Sequence, residues 1–194
     1  MKIILASKSK RRKELLDMMN IKYEVVISEK DEIKDNALTP LENGINISLE
    51  KALEVKRKTS GDRIIIACDT FVIKGLEIYG KPKDRNDAYN ILKSLSGVTH
   101  EVLSCLTVII IKDNTEDIYQ KQSSCKVTID SLTDDEIYNW IDNNNPYDKA
   151  GAYAIQEEFG KYISNIEGDY YSIVGLPINI LYKILKEIDK SNNL

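Results

Sequence analysis

Three features of the sequence carry side chains with the means to do chemistry. The first is Asp69, which interrupts the apolar, β-branched run RIIIACDTFVI from Arg63 to Ile73. Asp suits strands poorly, and a carboxylate taken out of water needs hydrogen bonds, an opposite charge or a metal ion. Two readings stand side by side: an Asp at a strand end capping a turn, or a carboxylate held on a rigid element as general base or metal ligand. The second is GKPKD, where Pro82 has no N–H and places Lys81 at a strand end or on a loop. A lysine there can offset charge on a phosphate oxygen or leaving group, or be an ordinary solvated cation. The third is ASKSKRRKELL, in which Lys8, Lys10, Arg11, Arg12 and Lys13 put five cations into six residues of a chain whose net charge is −4.

The basic cluster falls where a helix begins. The helix dipole carries partial positive charge at that end, so each cation there is unfavourable by a few tenths of a kcal/mol. A solvated basic patch is one explanation. An anion site is the other: a buried strand, a short loop bearing Ser7 and Ser9, and a helix N-terminus bring free N–H groups, hydroxyls and guanidinium forks to one place. A multiply charged phosphate would reverse the sign of the dipole problem. GxxxxGK[ST] is absent, so the segment is not a P-loop.

Glu32 in SEKDE and Lys51 in SLEKA are unremarkable singly and read first as solvated charges. Gln156 stands apart from its apolar neighbours in AYAIQ; its carboxamide offers an acceptor and two donors, enough to meet the N3–H and a carbonyl of uracil or thymine. The amide can also flip to meet cytosine, so base selectivity needs something that holds its orientation. His100 is the one histidine; no GxSxG surrounds a serine, and HExxH or multi-histidine metal sites are excluded. A bound metal would therefore have oxygen ligands, which suits Mg²⁺ or Mn²⁺ with phosphates completing the shell.

Elements that alternate strand and helix must position these groups. Lys2 to Ala6 predicts a buried strand, Lys10 to Met19 a helix, and Tyr23 to Ile27 a second strand. Thr39-Pro40 opens a long helix with Ile45, Leu49, Ala52, Leu53 and Lys56 at helical spacing. Arg63 to Ile73 is a central strand and Asn86 to Leu95 a helix with Ala88, Ile91, Leu92 and Leu95 as its stripe. Glu101 to Ile111 and Ser124 to Ile129 are strands, and Thr133-Asp-Asp-Glu136 is a capping box before a helix to about Ile141. Ala152 to Ile155, Tyr162 to Ile166 and Ser172 to Val174 read as strand pieces, and Leu176-Pro177 opens a last helix to about Ile188. The sum is a mixed α/β protein.

The 194 residues suggest one domain, 1–194, or one domain with two lobes. Apolar residues at 42% and charged residues at 30% read as a soluble globular chain, and mild acidity argues against nucleic-acid binding. No segment reaches the roughly 20 apolar residues of a membrane helix, and the N-terminus lacks a signal-peptide pattern. Cys68, Cys105 and Cys125 are far apart with no CxxC, which predicts reduced, buried thiols and a cytoplasmic protein.

These residues together resemble the Maf family of nucleotide pyrophosphatases. ASKSKRRKELL is similar to its ASxSxRRxELL signature, ACDTFV to its ADT motif, KPKD to KPxD, LSGVTHEV to LSGxTHxV, and DKAGAYAIQ and IVGLP to its C-terminal motifs. The resemblance runs in order from about Ile3 to Tyr182. It implies an elongated, two-lobed α/β fold with a mixed sheet, related to the inosine-triphosphate pyrophosphatases, with the active site in a cleft between lobes. It implies hydrolysis of a nucleoside triphosphate to monophosphate and pyrophosphate with a divalent metal, Mg²⁺, Mn²⁺ or Co²⁺, held by Asp69 and Glu32. Asp69 matches the catalytic acceptor, so Asp69→Asn is expected to remove turnover with little effect on folding. Arg11, Thr70 and Gln156 match specificity positions of the branch acting on dTTP and UTP, and Ser7, Arg12, Glu32, Lys51 and Lys81 match further active-site positions. The expected partner is the nucleotide, with no nucleic acid and no membrane; a homodimer is compatible with the sequence. Alternatives are a regulator of septum formation, or the same chemistry on a modified purine such as 7-methyl-GTP. Two departures stand out: Cys68 where Ala is usual, and Glu157 where Gly is usual, which would shift the loop if that position needs positive φ.

Overall fold

The computed structural model of the chain describes residues 1–29, 35 and 37–191. In chain order the elements are β1 (Lys2–Leu5), α1 (Lys10–Met18), β2 (Glu24–Val25), α2 (Pro40–Lys58), β3 (Arg63–Lys74), β4 (Glu77–Tyr79), α3 (Arg85–Leu95), β5 (Thr99–Lys112), β6 (Thr115–Ile129), α4 (Asp134–Asn143), β7 (Ile163–Glu167), α5 (Tyr170–Val174) and α6 (Ile178–Ser191). The strands form a mixed sheet in the order β2-β1-β3-β5-β6-β7, with β4 paired to β3. The chain divides into two compact units: the first comprises Met1–Asp69, Ser104–Ser123 and Gly175–Leu194, the second Thr70–Leu103 and Ser124–Val174. Strands β3, β5 and β6 contribute residues to both.

In the first unit, β1 pairs in parallel with β2 on one side and with β3 on the other, in register Leu5↔Ile66. A βαβ crossover through α1 accounts for the parallel β1–β2 pair. The core joins Ile4, Ala6, Ala52, Val55, Ile65, Ala67 and Ile109. Helix α2 begins at a complete capping box, Thr39 with Glu42, has Pro40 in its first turn, and ends on Lys56, Arg57 and Lys58, which suit the negative end of its dipole. Its buried face is Asn43, Ile47, Ser48, Lys51, Ala52 and Val55, whereas Ile45, Leu49, Leu53 and Lys56 of the expected stripe are half-buried. The face turned inward thus includes Ser48, bonded to Thr107 at 2.9 Å, and Lys51, which apolar spacing does not pick out. Strands β5 and β6 are joined by Asp113-Asn114, both at positive φ, the geometry of a type I′ hairpin turn.

In the second unit, α3 buries Ala88, Ile91, Leu92 and Leu95, the stripe expected from sequence. Helix α4 starts at the Thr133–Glu136 capping box and buries Ile137, Trp140 and Ile141. Trp140, Phe159 and Tyr153 pack ring against ring, with centroids 5.1 Å apart in each contact. Three expectations fail here. Ala152 to Ile155 is no strand: Gly151 and Ala152 both take positive φ, and the segment runs as short turns. Ser172 to Val174 lies in α5. Strand β6 starts at Thr115 rather than Ser124, because its first residues are exposed on both faces and show no alternation.

Candidate active site

Within the first unit the sheet order is 2-1-3, so the carboxyl ends of β1 and β3 form the topological switch point where open α/β sheets place ligands. Ala6 donates its N–H to the Ile66 carbonyl at 2.8 Å, continuing the β1–β3 register, and the chain then leaves β1 at Ser7. Continued further, that register sets Ser7 level with Cys68, one residue from Asp69.

Asp69 lies inside β3, which runs on to Lys74, so it is not a strand-end turn cap. Its side chain is 6% exposed, and its Oδ1 accepts a hydrogen bond from Lys51 Nζ at 2.5 Å; the Lys51 side chain is 10% exposed. A buried carboxylate needs such a partner, and the ammonium favours its ionised form. Lys51, which reads singly as a solvated charge and matches a family active-site position, is thus buried and engaged with Asp69. The pairing gives Asp69 a structural role, so Asp69→Asn carries a folding cost that sequence reading did not include. Nearby, burial pushes the Cys105 thiol up to about 12, with Cys68 and Asp69 adding to the effect. All three thiols are reduced and buried.

The basic cluster sorts into two kinds. Lys8 and Lys10 are exposed, and Lys10 makes a long i,i+4 pair with Glu14 at 3.8 Å. Arg11, Arg12 and Lys13 are half-buried. Arg12 Nε donates to the Gly175 carbonyl at 2.9 Å and its Nη1 to Ser7 Oγ at 3.2 Å. Ser9 is the N-cap residue of α1, but no side chain caps the helix; Ser7 Oγ accepts the Ser9 N–H at 3.1 Å instead. Ser7 thus bonds both Arg12 and the backbone of Ser9, and Ser9 makes no side-chain cap.

The second unit carries Thr70, Lys81 and Gln156. Thr70 is half-buried in β3; Lys81 is exposed on the loop after β4, with Pro82 buried beside it. The Gly80 carbonyl accepts the Gly151 N–H at 3.0 Å, which ties the KPKD segment to DKAGAYAIQ. Gly151 has φ +69, and a Cβ there would sit 2.7 Å from Val72 Cγ2, so that approach requires glycine. Gln156 is exposed and follows buried Ile155. Glu157 has φ −104, extended backbone that any residue adopts, so the chain does not need glycine here. Glu32 lies outside the described residues.

Two groups were not singled out as site residues by sequence. His100 Nε2 and Tyr153 Oη are 2.7 Å apart, both buried; burial lowers the His100 pKa to about 4 and pushes the Tyr153 phenol far up. Lys149 is 4% exposed and faces both Asp148 and Glu157. The signal for both was the motif text around them, LSGVTHEV and DKAGAYAIQ, rather than any spacing of charges.

Among the described residues, no group of three or more His, Cys, Asp or Glu side chains is arranged to hold a metal ion, and no helix is long and apolar enough to cross a membrane.

The Maf-like protein family matches residues 2–188. The dTTP/UTP pyrophosphatase of Thermoanaerobacter sp. (strain X514) is 42% identical over 186 residues, covering 96% of each chain. That of Lachnoclostridium phytofermentans is 43% identical, covering 95% of this chain and 94% of its own. That of Bacillus cereus is 41% identical, covering 97% and 96%. Among solved structures, a HAM1 protein from Coxiella burnetii superposes with a TM-score of 0.51 at 13% identity, covering 96% of this chain and 99% of its own. That likeness concerns the fold.

Proposed function

The chain belongs to the Maf family, and on that premise we propose that it hydrolyses dTTP and UTP to the nucleoside monophosphate and pyrophosphate. The observation that supports this most directly is the buried Asp69–Lys51 pair in the carboxyl half of β3, next to the switch point where Ser7 and Arg12 meet. A binding patch alone has no use for a carboxylate held in this way.

Arg11, Arg12 and the first-turn N–H groups of α1 bind the triphosphate, whose charge offsets the cost of cations at that helix end. Asp69, held ionised by Lys51, takes a proton from water as the water oxygen bonds to the α-phosphorus. The bond from that phosphorus to the bridging oxygen breaks and pyrophosphate leaves; Lys81 offsets charge on the phosphate oxygens. Gln156 reads the N3–H and a carbonyl of the pyrimidine, and Thr70 and Arg11 contribute to that choice. The residues fit a hard divalent cation. Asp69 is an oxygen donor, Glu32 is the second donor that the family resemblance implies, and phosphate oxygens would complete the shell. Such an ion, when bound, draws charge from the phosphate oxygens in the transition state.

Pyrophosphate release from dTTP, UTP, CTP, GTP and 7-methyl-GTP, each with Mg²⁺, Mn²⁺ or Co²⁺, tests the reading. Turnover of UTP and dTTP is expected, falling by about 10²- to 10⁴-fold in Asp69→Asn. In Gln156→Ala the preference for UTP and dTTP over the other nucleotides is expected to collapse. Turnover of a purine alone, or near-normal turnover in Asp69→Asn, would overturn it.

A further inference from the structure

A carboxamide selects between uracil and cytosine only if the backbone behind it is fixed. The segment that carries Gln156 is tied down at several points. The Gly151 N–H bonds to Gly80, Trp140 Nε1 donates to the Ala152 carbonyl at 2.9 Å, and Tyr153 meets His100. Beyond Ile155 the chain turns outward. The Glu157 N–H reaches the Ala154 carbonyl at 3.3 Å, a long bond, and the Glu157 carbonyl accepts from Gly160 at 2.9 Å.

The remaining tie is between side chains. Lys149 Nζ lies 2.5 Å from the Asn145 carbonyl, 2.9 Å from Asp148 Oδ1 and 3.2 Å from Glu157 Oε2. The contacts with Asn145 and Asp148 are hydrogen bonds, and Glu157 completes the set as an ion pair. The Lys149 side chain is 5% exposed, so this anchor is fixed by burial, whereas the Glu157 side chain is 35% exposed. The pair closes the segment 149–157 one residue beyond Gln156.

We propose that Glu157, clasped by the buried Lys149, is a positioning residue that pre-sets the backbone of Gln156 for a pyrimidine. The inference rests on the reading of Gln156 given above. Glu157 acts on the base through Gln156 and touches no reacting atom. A glutamate at this position is a gain for the loop: without it, Lys149 keeps Asn145 and Asp148, and the segment loses its closing contact. Pre-organisation lowers the cost of ordering on binding, so its loss appears in KM and in discrimination between bases, not in the chemical step.

The test is steady-state kinetics with UTP, dTTP and CTP on Glu157→Gln and Glu157→Gly, each in the wild-type and Gln156→Ala backgrounds. In the wild-type background both variants are expected to raise KM for UTP about three- to tenfold, the equivalent of one side chain's lost order, with kcat within about twofold. The UTP-to-CTP ratio of kcat/KM should fall by a similar factor. In the Gln156→Ala background the same substitutions should leave KM unchanged, because the residue they position is gone. No change in KM or in the base ratio would overturn the proposal. An equal change in both backgrounds would also overturn it, by making the clasp a general prop of the unit. If the wild-type protein turns over no pyrimidine triphosphate, the reading of the function fails; if it does and Glu157→Gln is silent, only the clasp fails.

Discussion

Replacing Lys51 with Met tests the centre of the first unit most sharply. The methylene stem of Lys51 is retained in length, but the ammonium that sits 2.5 Å from Asp69 Oδ1 is lost. The carboxylate it leaves behind belongs to a residue 4% exposed, so water cannot replace the partner without opening the core. Breaking a buried pair from one side costs about 3–5 kcal/mol. For a protein of this size each kcal/mol lowers Tm by about 2–4 °C, so a fall of roughly 6–20 °C is expected. Asp69→Asn keeps a carbonyl oxygen that still accepts from Lys51 and should cost less, about 1–3 kcal/mol, while turnover is expected to fall by the larger factor given above. The double variant, Lys51→Met with Asp69→Asn, leaves no buried charge at the site. Its loss of stability should be smaller than the sum of the two single losses. The assay is thermal unfolding by calorimetry at neutral pH on all four proteins, with pyrophosphate release measured on the same samples. A Tm within about 2 °C of wild type for Lys51→Met would refute the reasoning, as would strictly additive losses in the double variant.

Acid stability follows from His100, whose pKa falls from 6.5 to about 4 because burial disfavours the imidazolium, with Lys74 nearby adding to the effect. The fold holds the neutral ring, so this contribution is complete above pH 6.5 and is lost as pH falls from 6.5 to about 4, by about 3 kcal/mol. Tm against pH should therefore fall more steeply across that window for wild type than for His100→Gln; equal slopes would remove His100 from the account. Arg12→Lys cannot span both the Gly175 carbonyl and Ser7 Oγ as the guanidinium fork does. It should raise KM for UTP about tenfold, whereas Lys10→Ala, at a side chain 91% exposed, should stay within about twofold. Equal effects in the two variants would mean that only net charge matters.

Apolar spacing read α3 of the second unit well and α2 of the first poorly, and the difference is physical. On α3 every inward position is apolar, so Ala88, Ile91, Leu92 and Leu95 mark the buried face. On α2 the inward face carries Asn43, Ser48 and Lys51, each of which needs a partner from another segment to be buried at all. Asn43 finds the Leu38 and Thr39 carbonyls, Ser48 finds Thr107, and Lys51 finds Asp69. Hydrophobic periodicity contains no record of those partners. The motif resemblance supplied Lys51 and Asp69 as site positions, but not that they pair. Likewise AYAI has the composition of a strand; Gly151 and Ala152 take positive φ, and Gly151 lies against Val72, 79 positions away in the chain (151 minus 72).

Burial and fixed partners also distinguish the cations that this acidic chain gathers at the start of α1. Charge alone would treat Lys8, Lys10, Arg11, Arg12 and Lys13 as equivalent. Burial separates them: Lys8 and Lys10 stand in water, where screening leaves each worth little, while Arg12 is held by a carbonyl and a hydroxyl at the end of β1. A guanidinium fixed by two acceptors loses little further freedom when it meets a third. The Ser7 hydroxyl accepts from Arg12 and from the Ser9 N–H, and the Ser9 side chain makes no cap bond to the helix. On the proposed function, position within the cluster rather than its total charge decides which cations meet the phosphates, and Arg12→Lys against Lys10→Ala separates the two ideas at constant or near-constant net charge.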